Sequence, residues 1–128
     1  MTVPIIQIRD VSKNYDIGHP ALAGLNLEVR AGEALAVLGP SGSGKSTLLN
    51  MIAGLDKPSE GSVTVDGLRI DELTEAALAK YRRERIGMVF QFFNLLDDLT
   101  VNDNVLLPAQ LAGMPRREAR IRAAELLE

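Results

Sequence analysis

A glycine-rich run near residue 40 constrains the fold of this chain more than any other feature. The run reads Gly39-Pro40-Ser41-Gly42-Ser43-Gly44-Lys45-Ser46-Thr47 and matches G-x-x-x-x-G-K-[ST], the loop that wraps the phosphates of a nucleoside triphosphate. The preceding segment, residues 34–38, is short and wholly apolar, as a buried parallel strand is. Residues 46–54 then predict a helix that stops at a glycine. The motif therefore lies between a predicted strand and a predicted helix, which is the context that supports it.

Each residue type in this loop has a physical role in holding phosphate. Gly42 and Gly44 permit dihedrals and close approaches that a Cβ would forbid, so that successive N–H groups point toward an anion. The helix adds unsatisfied N–H groups and about half a positive charge at its N-terminus. We expect the Lys45 ammonium to contact the β- and γ-phosphates, the Ser46 hydroxyl to ligate Mg²⁺, and Thr47 to donate on the α-phosphate side. The alternative is a flexible Gly/Ser loop with an accidental lysine.

The composition excludes several kinds of site and partner. The net charge of −3 offers no basic surface for nucleic acid. With no cysteine and one histidine, a thiolate or histidine-rich metal site is excluded. No apolar stretch approaches the ~18 residues of a membrane span, and residues 1–6 lack the features of a secretory signal. We therefore expect a cytoplasmic protein without direct membrane insertion, which docks at a membrane only through a partner.

Hydrophobic patterns predict the remaining elements. Further strands are expected at residues 5–11, 23–30, 62–66 and 86–90, and a helix at residues 71–83. Thr100-Val101-Asn102-Asp103 predicts a capping box that opens a helix through Leu111, with a kink at Pro108. A last helix is expected from Pro115, with Ile121, Ala124 and Leu127 spaced for one face.

Beyond the phosphate loop, three segments resemble the nucleotide-binding domain of ATP-binding cassette (ABC) transporters. They are Val11-Ser12-Lys13-Asn14-Tyr15, Ala53-Gly54-Leu55-Asp56-Lys57-Pro58-Ser59-Glu60-Gly61 and Ile86-Gly87-Met88-Val89-Phe90-Gln91. The run Phe92-Phe93-Asn94-Leu95-Leu96, with Leu99-Thr100-Val101 and Asn104-Val105, is similar to the subfamily of lipoprotein-releasing and macrolide-export systems. The resemblance implies an α/β P-loop NTPase, incomplete, with an N-terminal antiparallel β subdomain and the start of the helical subdomain. It extends over residues 6–128 but over only about the first half of the family's domain.

The resemblance also implies roles for residues outside the loop. Tyr15 falls on the aromatic position that stacks on adenine, an interaction of ~1–3 kcal/mol; the alternative is a loop tyrosine that packs locally. Gln91 falls on the glutamine that contacts Mg²⁺ or the attacking water and relays nucleotide state to the membrane subunit; the alternative is a polar residue that ends a strand. Phe92 and Phe93 then either meet the transporter's coupling helix or pack in the core of the helical subdomain.

The function implied by this resemblance is binding of ATP and Mg²⁺ within the ATPase subunit of a membrane transporter. The predicted nucleotide-binding residues are Tyr15 and all of residues 39–47; the catalytic candidates are Lys45 and Gln91, and the metal candidates are Ser46 and Gln91. The implied partners are a transmembrane permease subunit and a second nucleotide-binding subunit, at the inner face of the cell membrane.

Three of the family's motifs are absent from the sequence. There is no apolar run followed by Asp and Glu (Walker B), no Leu-Ser-Gly-Gly-Gln-like signature and no switch histidine. We therefore expect residues 1–128 to be a nucleotide-binding domain truncated before the signature motif and Walker B, with negligible ATPase activity alone. The alternatives are a non-catalytic nucleotide-binding fragment and a soluble ABC-type ATPase that works on DNA or ribosomes.

Overall fold

The computed structural model of the chain describes residues 3–15 and 18–128, and the chain divides into two units, Met1–Ala79 and Lys80–Glu128. Residues 1–2, the first of the six for which the sequence predicts no secretory signal, lie outside the described residues. In chain order the elements are β1 (Ile6–Lys13), β2 (Leu22–Val29), α1 (Lys45–Ile52), β3 (Glu60–Val65), β4 (Leu68–Arg69), a 3₁₀ turn (Ile70–Glu72), α2 (Glu75–Arg85), α3 (Val101–Leu111) and α4 (Arg116–Leu127).

The first unit is built on an antiparallel sheet with the strand order β2-β1-β3-β4. β1 is central, and Ile8 pairs with Leu27 on one side and with Val63 on the other. The pairing of β1 with β2 shifts register after Ile8, and its pairing with β3 shifts register after Arg9. Asp10, which lies in this stretch, has φ 50°. Side chains alternate between the faces of a strand, so residues three apart ordinarily face opposite ways. The irregularity changes this alternation, and Ile8 and Val11 are both fully buried.

Helix α1 supplies the other side of this core. Leu48 and Met51 are its buried residues, and the helix packs against β3, which buries Val63 and Val65. The antiparallel β subdomain and the helix after the phosphate loop are thus confirmed. The helix expected at residues 71–83 is instead divided into the 3₁₀ turn Ile70–Glu72 and α2, which begins at Glu75 after two residues without helical structure.

Two predicted strands do not form within the described part of the chain. Residues 34–38 and 86–90 have no strand assignment, and Leu38 and Val89 are 90% and 93% exposed. A parallel strand needs a neighbour for its backbone N–H and C=O groups and cover for both faces. The described residues supply no such neighbour, so the prediction of strands at these two positions is wrong for this chain.

The second unit contains the helix pair α3 and α4. The Thr100 side chain accepts a hydrogen bond from the Asp103 N–H at 3.1 Å and caps α3, as predicted. The two helices meet through Leu106 on α3 and Ala119 and Ala123 on α4. The predicted apolar face of α4 is therefore wrong, because small alanines, rather than Ile121 and its helical neighbours, lie in the contact. Among the helices that the structure describes, none is long and apolar enough to cross a bilayer.

Candidate functional site

The phosphate loop ends at a glycine that no other residue could replace without movement. Gly44 is the N-cap residue of α1 and has φ 94°. A Cβ built at this position would lie 2.6 Å from the carbonyl oxygen of Ala21 and 2.8 Å from Cδ2 of Leu22. The start of β2 therefore packs directly on the backbone where loop becomes helix. Gly42 also has a positive φ, 82°, but a Cβ there would meet nothing within 4 Å.

The N-terminus of α1 has no side-chain cap of its own that would compete with an anion. The helix has no side-chain cap and no acidic residue in its first turn. The first N–H groups of a helix have no partner within the helix, and the helix dipole adds positive potential at this end. The local geometry therefore favours an external anion in front of Lys45, as the sequence predicts.

A cavity of about 530 Å³ lies at this helix end. Its volume falls within the range of about 300–1,000 Å³ typical of small-molecule sites. Its lining consists of loop and helix residues together with one residue that precedes β2, namely Ala21, Ser41, Gly42, Ser43, Gly44, Lys45, Ser46 and Thr47. The volume in front of this helix end therefore has room for a chain of phosphates.

The Lys45 ammonium is held by the loop itself. Its Nζ donates to the carbonyl oxygens of Gly39 and Pro40, the latter at 2.8 Å, and lies 3.4 Å from the Ser43 hydroxyl oxygen. An ammonium has three donors, so these contacts account for all of them. Phosphate oxygens at the helix N-terminus must therefore replace some of these neutral oxygens, and they make stronger, charge-assisted hydrogen bonds with the same donors.

The residues around the cavity suit a magnesium ion only in combination with phosphate. Within the described ranges, no group of three or more His, Cys, Asp or Glu side chains is arranged to hold a metal. Ser46, which carries a hydroxyl, is one of the residues that line the cavity. Mg²⁺ prefers oxygen ligands and commonly binds through few protein groups, several waters and substrate phosphates. The chain therefore fits Mg²⁺ as the companion of a bound triphosphate.

Tyr15 lies in a polar cluster that the sequence did not reveal. Its hydroxyl donates to Oδ2 of Asp56 at 2.7 Å, and Lys13 Nζ lies 5.1 Å from the centre of its ring. Lys13 also forms an ion pair with Oδ1 of Asp56 at 2.9 Å. Lys13 and Asp56 belong to two segments that carry the family resemblance, but nothing in their spacing along the chain indicates that they meet.

Gln91 lies in the second unit, at the start of a tight turn. The turn is closed by a hydrogen bond from the Phe93 N–H to the Phe90 carbonyl, and Gln91 is exposed. Phe93 and Asn94 have φ of 62° and 54°, a region that is unfavourable for a bulky residue such as phenylalanine. Strain of this kind commonly marks functional segments. The contact of Gln91 with Mg²⁺ or water stays a prediction.

The segment after Gln91 presents apolar side chains to solvent. Phe92, Phe93 and Leu95 are 81%, 71% and 66% exposed, so the two phenylalanines do not pack in a core of the described residues. Asn104 on α3 fixes the end of this segment, because its amide accepts from the Leu96 N–H and donates to the carbonyls of Leu96, Leu99 and Thr100. An apolar surface on an anchored segment is typical of a protein contact site.

Comparison with known proteins places these features in a family. A model of the ABC transporter family matches residues 22–128. The chain is 53% identical over 125 residues, or 97% of its length, to the methionine import ATP-binding protein MetN of Caulobacter vibrioides, and covers 37% of that protein. It is 46% identical to MetN of Brucella abortus over 127 residues, covering 99% of this chain and 34% of that protein.

A solved structure gives the same result for the fold. The ATP-binding cassette MJ0796, in a dimeric post-hydrolysis state bound to ADP and Pi, superposes with a TM-score of 0.84 and 44% sequence identity. The superposition covers 94% of this chain and 54% of that one. The chain thus spans between about a third and a half of the length of these relatives.

Proposed function

Because this chain belongs to the ABC transporter family, we propose that residues 39–47 bind the triphosphate of ATP and that the chain is part of a transporter's ATPase subunit. The observation that carries this proposal is the uncapped N-terminus of α1, which opens with Lys45 onto a cavity of about 530 Å³. Backbone N–H groups, the helix dipole and one ammonium there match the charge of a polyphosphate. Mg²⁺, when bound with the nucleotide, neutralises phosphate charge; Ser46 would be its protein ligand in this unit.

Residues 1–128 supply groups for binding the nucleotide, but not all the groups that ATP hydrolysis needs. Phosphoryl transfer to water depends on a positioned nucleophile and on stabilisation of charge in the transition state. Lys45 can provide charge, and Gln91 is our candidate for orienting water. In the part of the chain that the structure describes, no group of three or more His, Cys, Asp or Glu side chains is arranged to hold a metal ion. From the family resemblance, we propose that residues 1–128 are part of a nucleotide-binding domain whose hydrolysis uses a further segment.

The unpaired apolar segments support this assignment. Residues 34–38 precede the phosphate loop and form no strand, with Leu35 and Leu38 48% and 90% exposed. Strands of a parallel sheet are buried on both faces, so residues 34–38 require neighbours that the described residues do not contain. The two MetN proteins are two to three times as long as the region that matches this chain, so they contain further residues from which such neighbours can come.

The proposed partners are a transmembrane permease subunit and a second nucleotide-binding subunit. For the permease, the support is the exposed run Phe92 and Phe93, held at its far end by Asn104. For the second subunit, the support is the dimeric state of MJ0796, at 44% identity. Binding to a permease places the protein on the cytoplasmic face of the cell membrane.

Two transport roles are proposed for the complete protein. The run Phe92–Leu96 is similar to the lipoprotein-releasing and macrolide-export subfamily, whereas two relatives at 53% and 46% identity are methionine import proteins. The permease that copurifies with the protein from its own cells distinguishes them, because an importer of methionine and an exporter of lipophilic cargo have different membrane subunits.

The test of nucleotide binding is a titration of the Lys45→Ala variant with ATP. Loss of hydrogen bonds from a charged donor costs about 1.5–3 kcal/mol, so ATP should bind about 10- to 150-fold more weakly. The matched control is Lys80→Ala, which removes an exposed lysine of α2 and should leave affinity unchanged. Equal ATP affinity in the two variants would exclude the phosphate-binding role of residues 39–47.

The same preparation distinguishes the alternative in which the chain binds nucleotide without turning it over. Phosphate release from Mg-ATP is measured at saturating nucleotide. ATP binding without phosphate release supports a non-catalytic binding fragment, and release at the rate of complete ABC ATPases would contradict our assignment of hydrolysis to a further segment.

A further inference from the structure

We propose that Asp56, together with Lys13, holds the ring of Tyr15 in position to stack on the base of the nucleotide. Asp56 is thus a positioning residue for base binding and does not itself touch the ligand. This inference rests on the proposed binding of ATP and deepens it, because it assigns a role to a cluster that lies outside the phosphate loop.

The carboxylate of Asp56 is fixed on both of its oxygens. Oδ2 accepts from the Tyr15 hydroxyl at 2.7 Å. Oδ1 accepts from Lys13 Nζ and from the backbone N–H of Lys57, each at 2.9 Å. A backbone donor and a charged donor on one oxygen leave the other oxygen pointing in a defined direction. The Tyr15 hydroxyl therefore has a stationary acceptor rather than a freely rotating one.

Lys13 is itself held in place. Its ammonium donates to the Lys57 carbonyl at 2.7 Å as well as to Asp56, and only 14% of its side chain is exposed. The same ammonium lies over the Tyr15 ring, 5.1 Å from the ring centre. It therefore occupies one face of the ring by a cation–π contact. Tyr15 is 57% exposed, and we assign the incoming base to the ring face opposite Lys13.

The cluster is connected to the phosphate cavity through the backbone. The carbonyl of Lys13 accepts a hydrogen bond from the Ala21 N–H at 2.8 Å. Ala21 lines the cavity, and its own carbonyl lies against Gly44. The chain that carries Tyr15 is therefore anchored beside the residue that borders the triphosphate site, which suits a ring that meets the other end of the same ligand.

The consequence is an ordered aromatic side chain before the ligand arrives. Ordering an exposed side chain on binding costs conformational entropy, which weakens the complex. A side chain that is already ordered avoids this cost. From the usual size of this entropic cost, breaking the contacts that hold the Tyr15 side chain should weaken ATP binding about 2- to 12-fold. Inorganic tripolyphosphate has no base, so its affinity should not depend on the cluster.

The experiment compares ATP with tripolyphosphate on the full chain and its variants by calorimetric titration. Asp56→Ala removes the acceptor, and Tyr15→Phe removes the donor but keeps the ring. Each should weaken ATP binding about 2- to 12-fold and leave tripolyphosphate binding unchanged. In the Tyr15→Phe background, Asp56→Ala should cause a smaller loss of ATP affinity than in the wild-type background, because the Tyr15–Asp56 hydrogen bond is already absent and only the contact through Lys13 remains to be broken. Asp56→Asn keeps one of the two oxygens that the cluster uses and should lose less ATP affinity than Asp56→Ala.

Several outcomes would overturn the inference, and they separate it from the proposed function. Equal weakening of ATP and tripolyphosphate by Asp56→Ala means that Asp56 supports the fold rather than the ring. Unchanged ATP affinity in both Asp56→Ala and Tyr15→Phe means that the hydrogen bond positions nothing. If the wild-type chain binds tripolyphosphate and Tyr15→Ala leaves ATP binding unchanged, the base site is elsewhere while the phosphate site stands. If wild type binds neither ligand, the proposed function and this inference both fail.

Discussion

Replacing Gly44 by alanine should damage this protein more than the same change at Gly42, although both glycines lie in the phosphate loop with similar dihedrals. Their φ angles are 94° and 82°, both in the region that disfavours a Cβ. What differs is the surroundings. The added methyl at residue 44 would lie 2.6 Å from a backbone oxygen of Ala21, whereas at residue 42 it would meet nothing within 4 Å.

The magnitudes follow from these two contributions. A left-handed conformation costs a non-glycine residue about 1–2 kcal/mol, which applies to both variants. Forcing a methyl against packed atoms costs about 1–3 kcal/mol more, and this applies only to Gly44→Ala. The free energy of unfolding should therefore fall by about 1–2 kcal/mol in Gly42→Ala and by about 2–5 kcal/mol in Gly44→Ala.

Denaturant titration followed by circular dichroism measures the stability difference, and ATP titration measures its effect on the site. Because Gly44 sets the direction of the first N–H groups of α1, ATP affinity should fall more in Gly44→Ala than in Gly42→Ala. Equal losses of stability in the two variants would refute the close packing of β2 on this loop. A Gly44→Ala variant with wild-type stability and affinity would refute the role of the helix N-terminus altogether.

Two further predictions concern stability away from the loop. Thr100→Ala removes the cap of α3 and should lower the free energy of unfolding by about 0.5–2 kcal/mol, whereas Thr100→Ser, which keeps the hydroxyl, should lose much less; equal stability of the two variants in denaturant titration would contradict the cap. Hydrogen bonds from Arg69 outweigh the desolvation of Asp71 and hold the pKa of its carboxyl below the usual 3.8. A carboxyl whose pKa is lower in the folded state contributes stability at pH values above its unfolded pKa. This contribution is lost as the pH falls below about 4. In Asp71→Asn, the free energy of unfolding should therefore depend less on pH in the acid range. An unchanged pH dependence would count against the pairing of Asp71 with Arg69.

The features that the sequence predicted correctly are those whose cause is local. The alternation of β2 predicts a half-buried strand, and Leu25 and Leu27 are partly buried while Asn26 and Glu28 are exposed. Thr100 can cap α3 because its acceptor and the Asp103 N–H are three residues apart. The helix after the glycine-rich run is likewise predictable, since Gly44 and the helix that begins at Lys45 are consecutive in the chain.

The features that the sequence did not predict depend on distant partners. Residues 34–38 and 86–90 have strand-like composition but form no strand, because a strand is completed by a neighbour that composition cannot supply. On α4, Ala119 and Ala123 are buried while Ile121 is 55% exposed, since the packing partner on α3 selects the contact face. The cluster of Tyr15 and Asp56 joins residues 41 positions apart, a distance at which residue spacing gives no signal.

The most direct test of the central claim is a comparison of backbone amide resonances before and after addition of ATP to the isotopically labelled chain. Binding of a triphosphate at the N-terminus of α1 should shift the amides of residues 42–47 most strongly, and tripolyphosphate should reproduce these shifts. Saturable ATP binding that leaves residues 42–47 unshifted, with the changes concentrated elsewhere, would contradict the account.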